Sequence, residues 1–124
     1  MNFQQTHSIF PVPDIEKTTE FYTNKLGFRA EKYLTCTEPH VCLYKDNIEI
    51  ILTDSKNRPV VPNRVLYGYG YDIYIITYPD EKLIDYFKNQ NLKIIKESTS
   101  DYNNKEIVIE DIDGRWLCFG VKIK

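Results

Sequence analysis

One pattern occurs twice along the chain, and it constrains the fold more than any single motif. Starting at Ile9, a short apolar run ends in Pro13-Asp14, and "IEKTTEFYTNKLGF" then sets Ile15, Thr18, Thr19, Tyr22 and Leu26 at helical spacing. With Pro13 and Pro79 aligned, 66 residues apart, "IYIITYPDEKLIDYFKNQNLKII" repeats the order of strand, Pro-Asp turn and helix, with Leu83, Ile84, Tyr86 and Phe87 marking the second helix. Each helix ends in a residue that tolerates left-handed backbone, Gly27 in the first half and Asn91 in the second.

Behind each helix the period changes from helical to alternating. "RAEKYLT", "HVCLYKD" and "NIEIILT" read as three strands in the first half, and "KIIKEST", "KEIVIED" and "RWLCFGV" as three in the second. Asp46-Asn47 and Asp113-Gly114 stand where tight hairpins need positive φ. Each half is therefore βαβββ, and the fold class is α+β. Residues 56–70, with Pro59, Pro62 and two glycines, read as a linker rather than a structured element. The expected organisation is one domain over 1–124, with modules at about 5–55 and 71–122 sharing a core, because a half of this size has only one helix and one sheet face to bury.

The 124 residues, 42% of them hydrophobic, are enough for one core without staples. A net charge of −2 with no run of like charges argues against nucleic acid and membrane surfaces as partners. Cys36, Cys42 and Cys118 show no CxxC spacing, and the N-terminus lacks the layout of a signal peptide, so a reducing cytoplasm is the expected location. The longest apolar runs are strand-sized, far below the roughly 20 residues of a spanning helix. No Gly-x-Ser-x-Gly elbow is present, and "YGYG" has neither the lysine nor the helix start of a phosphate loop.

"THSIFPVPDIEKTTEFYTNKLGF" resembles the opening signature of the vicinal oxygen chelate superfamily, through its histidine, Pro-Asp, Phe-Tyr and Leu-Gly-Phe. "IEDIDGRWLCFG" is similar to the closing motif, with Ile112 in place of the usual proline. The superfamily includes glyoxalase I, extradiol dioxygenases, thiol-transferring fosfomycin resistance enzymes and bleomycin resistance proteins. The resemblance implies paired βαβββ modules whose curved mixed sheet surrounds a cleft, with the helices on the outer face. It also implies four metal-ligand positions, which fall on His7, Ile51, near Asp72, and on Cys118. Only His7 is the residue that metal-binding relatives usually carry. His7, Asp72 and Cys118 would make a chemically possible zinc set, but Ile51 offers no donor, and the expected cofactor is none.

Strand alternation places Ile48, Ile50, Leu52, Ile73, Ile75, Leu117, Phe119 and Val121 toward the helices. Glu49, Ile51, Asp72, Tyr74, Trp116 and Cys118 then face the cleft, with His7 and Ile9 on the first strand. Trp116, Tyr74, Ile9 and Ile51 form apolar walls, and Glu49, Asp72 and His7 are the polar points. This set suits a small aromatic or cationic ligand held without chemistry, as in the bleomycin resistance proteins. The alternative is a lyase or isomerase resembling glyoxalase I, with a metal on His7, Cys118 and Asp72 and with Glu49 moving a proton. Arg115 and Tyr67, Tyr69 and Tyr71 fit either a pocket rim or a subunit contact, and the expected assembly is a homodimer.

Overall fold

The computed structural model describes residues 1–99 and 104–122. The chain forms two compact units, Met1–Val60 and Val61–Lys124.

The first unit contains β1 (Ser8–Val12), α1 (Ile15–Leu26), β2 (Arg29–Tyr33), β3 (His40–Lys45) and β4 (Ile48–Asp54). Its sheet has the order β1-β4-β3-β2, with β1 parallel to β4 and the other pairs antiparallel. Helix α1 carries the chain back so that β2 runs in the direction of β1, and the two antiparallel steps from β2 to β3 and β3 to β4 then leave β4 parallel to β1. Asp14 caps α1 by accepting the Lys17 N–H at 3.1 Å, and Gly27 ends it at φ 74. The buried residues Thr18, Thr19, Tyr22 and Leu26 form one stripe of the helix. The core is completed by Phe10, Val12, Val41, Leu43, Ile50 and Leu52, all on one side of the strands. Asp46 supplies the left-handed residue of the β3–β4 turn at φ 52.

The second unit contains α2 (Asn63–Tyr67), β5 (Ile73–Ile76), α3 (Leu83–Asn89), β6 (Lys93–Thr99), β7 (Asn104–Glu110) and β8 (Trp116–Lys122). Its order, β5-β8-β7-β6 with β5 parallel to β8, repeats that of the first unit. Phe87 of α3 packs against Phe119 at 5.0 Å between ring centroids, and Asn91 takes the expected left-handed conformation at φ 56. Gly114 does the same in the β7–β8 turn at φ 85.

Two features depart from the sequence reading. The segment expected as an unstructured linker holds α2, a single turn begun by Pro62 in extended backbone and ended by Gly68 at φ 86. Five residues carry no readable period, and the two punctuating residues define the turn. Strand β6 also slips register between Ile94 and Lys96. Ile94 therefore pairs with Ile109 on the helix side, whereas Lys96 pairs with Val108 on the opposite face.

Candidate functional site

On the face of the second sheet turned away from α3, a buried carboxylate organises its neighbours. Glu106 is only 4% exposed. It accepts hydrogen bonds from the Tyr74 hydroxyl at 2.7 Å and the Tyr71 hydroxyl at 3.4 Å, while Asn104 Nδ2 donates to Tyr74 Oη at 3.0 Å. The Tyr74 ring and hydroxyl lie against Gly120, which pairs with Glu106 in the ladder. Cys118 sits beneath this cluster, fully buried, and burial together with the nearby Glu106 charge pushes its thiol pKa up to about 12. Such a thiol stays protonated from pH 7 to 9 and is a poor nucleophile. With a thiol-specific disulfide reagent at pH 8, Cys36, which is exposed, is expected to react at once. Cys118 and the buried Cys42 are expected to react only after denaturation; rapid labelling of all three would contradict this arrangement.

Beside this cluster opens a pocket of about 600 Å³, lined by Arg64, Val65, Gly68, Tyr69, Gly70, Tyr71, Lys96 and Trp116. Helix α2 builds one wall. Asp72 fixes that helix to the sheet, since Oδ1 accepts the Asn63 N–H at 3.1 Å and Oδ2 the Trp116 N–H at 3.0 Å. Arg64 lies over the Trp116 ring at 4.0 Å and donates to Gly114 O at 2.8 Å and Glu110 Oε1 at 3.1 Å. Glu110 also accepts from Trp116 Nε1 at 3.2 Å and pairs with Lys93 at 3.3 Å. One face of the tryptophan is thus covered by protein.

In the first unit, the face of the sheet away from α1 carries Ile9 beside Ile51, and Ile51 beside Cys42. His7 Nδ1 lies 2.9 Å from Glu49 Oε1, next to this row. Tyr44 stands across the ladder from Glu49, and burial is the first cause lifting its hydroxyl pKa to about 12.

The family model of the glyoxalase/bleomycin resistance protein/dioxygenase superfamily matches residues 4–119. The chain belongs to this superfamily. None of the curated proteins matches it. Among solved structures, it is similar to a superfamily member from Sphaerobacter thermophilus (20% identity, TM-score 0.72, covering 97% of this chain and 98% of that one). It is also similar to UcmS2 (15% identity, TM-score 0.75, covering 97% and 98%) and to the fosfomycin resistance protein FosX of Listeria monocytogenes (16% identity, TM-score 0.68, covering 99% and 96%). At these identities the likeness is one of fold.

The metal that the superfamily often carries finds a poor donor set here. Ile51 has no ligand atom, both Asp72 oxygens already accept backbone N–H groups, and the Cys118 thiol is fully enclosed by protein. His7 is paired with Glu49. Among the described residues, no group of three or more His, Cys, Asp or Glu side chains is gathered to hold an ion. These residues do not fit the metal of the superfamily.

Of the residues singled out from sequence, Tyr74, Trp116, Cys118 and Asp72 come together in the second unit, and His7, Glu49 and Ile51 share one face of the first. Sequence reading missed Glu106, Lys96 and Arg64. Alternation in "KEIVIED" already puts Glu106 and Val108 on the face opposite Ile107 and Ile109, so Glu106 had a readable signal. Lys96 had none, because a bulge decides its direction. No helix among the described residues is long and apolar enough to cross a membrane.

Proposed function

We propose that this protein binds a small aromatic molecule without a metal, in the pocket of its second unit. The observation that carries this reading is the aromatic lining, in which Tyr69, Tyr71 and Trp116 surround a space of about 600 Å³, within the range of roughly 300–1,000 Å³ common for ligand sites. Glycines on either side of Tyr69, at φ 86 and 99, hold backbone that residues with side chains rarely adopt and leave its ring free to meet a ligand. The carboxylates expected to select a cation are engaged elsewhere: Asp72 holds α2 and Trp116, and Glu49 holds His7.

The reading also pairs two copies of the chain, with the exposed Val65, Leu66 and Tyr67 of α2 as contact residues. Sedimentation velocity is expected to show a dimer that Leu66→Glu disrupts; a monomeric wild type would remove this part.

The binding test is calorimetric titration of chelator-treated protein with 1-naphthoate, 1-naphthamide and 1-naphthylmethylamine. At least one should bind with Kd below about 1 mM, and Tyr69→Ala should weaken it about tenfold. Tyr69 is 80% exposed, so its loss should leave the fold intact. No binding by any probe, or binding only after a divalent metal is added, would sink the proposal.

A further inference from the structure

The pocket has a charge as well as a shape. Its lining contains two cations, Arg64 and Lys96, and no carboxylate among the described residues. Among the described residues, two carboxylates beside the lining are turned into protein partners: Glu106 lies under the Tyr71 and Tyr74 hydroxyls, and Glu110 lies among Arg64, Lys93 and Trp116 Nε1. Arg64 is likewise spent, on Glu110, the Gly114 carbonyl and the Trp116 ring. Lys96 is not. Its ammonium stands 5.3 Å from the centre of the Tyr71 ring, and among the described residues no carboxylate lies within ion-pair distance of it.

The backbone sends it there. In unbroken alternation the residue opposite Val108 would be Ile95; the slip between Ile94 and Lys96 puts the lysine in that place instead. Bulges of this kind re-aim side chains and are concentrated next to functional sites. Hydrogen bonding to the Tyr71 hydroxyl raises the Lys96 pKa above the ordinary lysine value, so the cation persists at neutral pH.

We infer that the pocket selects an anion: an aromatic compound bearing a carboxylate or a comparably acidic group, its ring against Tyr69, Tyr71 and Trp116 and its charge at the Lys96 ammonium. This rests on the aromatic-binding reading above and adds to it the sign of the ligand. An ammonium ligand would instead meet Arg64 and Lys96 with no free carboxylate to receive it.

The three naphthalene probes share a ring system and differ mainly in charge. On the chelator-treated full-length chain, 1-naphthoate should bind about tenfold more tightly than 1-naphthamide, as a partly exposed charge-assisted contact allows, and the amine most weakly. Lys96→Met should bring the naphthoate affinity down to that of the amide while leaving the amide unchanged. Lys96→Arg should retain most of the preference, and Lys17→Met, on the surface of the first unit, should change nothing. Lys96→Gln serves as a second neutral variant, with circular dichroism confirming that each variant is folded. Amide or amine binding as tightly as naphthoate, or a preference that survives both neutral variants, would overturn the inference while leaving aromatic binding intact. Failure of all three probes in the wild type would overturn both.

Discussion

Gly120→Ala is expected to destabilise the protein by about 2–4 kcal/mol, with a fall in Tm on the order of 10 °C. A Cβ added at Gly120 would lie 2.6 Å from both Cε1 and Cζ of Tyr74 and press on its hydroxyl as well. The ring has little freedom to retreat, because its hydroxyl is tied to Glu106 and Asn104, both of them buried. The glycine is therefore needed for space: φ at this position is not in the left-handed region. If the collision is the cause, Tyr74→Ala combined with Gly120→Ala should cost less than the sum of the two single changes. Urea unfolding of the four proteins measures this. A Gly120→Ala protein within about 0.5 kcal/mol of wild type would mean that Tyr74 does not hold the position described.

Much of this unit was readable from alternation alone. "RWLCFGV" puts Leu117 and Phe119 toward the helix, and they are found there, with Leu117 fully buried and Phe119 against Phe87. "NIEIILT" does the same for Ile50 and Leu52. The duplicated strand, turn and helix gave the βαβββ element order of both units, because local periods and turn residues are fixed by near neighbours. The candidate site was less legible. Alternation assigns Cys118 a face, yet only tertiary packing buries it completely. Trp116 was expected as an open wall, and Arg64 from the supposed linker covers one side of it. Asp72 looked available for a ligand, but α2 and β8 claim both of its oxygens. Each miss arises from a residue distant in sequence, or from a bulge that a period of two does not register.

Glu106→Ala should cost about 3–4 kcal/mol, since it strips the acceptor from two tyrosine hydroxyls and empties a buried volume. Glu106→Gln keeps one acceptor oxygen and the shape, and should cost about 1–2 kcal/mol. The two tyrosines should not be equivalent. Tyr74 holds Glu106 at 2.7 Å and also accepts from Asn104, whereas Tyr71 reaches Glu106 only at 3.4 Å. Tyr74→Phe is therefore expected to lose more stability than Tyr71→Phe, while Tyr71, which lines the pocket, should matter more for ligand affinity. The comparison separates two roles for a buried carboxylate. A group that props up a pocket shows its loss first in unfolding, because its partners are left unsatisfied in the free protein. A group that meets the ligand shows it first in binding. A stable Glu106→Ala protein that no longer binds any naphthalene probe would move Glu106 from the framework into the site, and would place a carboxylate where Lys96 now gives the pocket its charge.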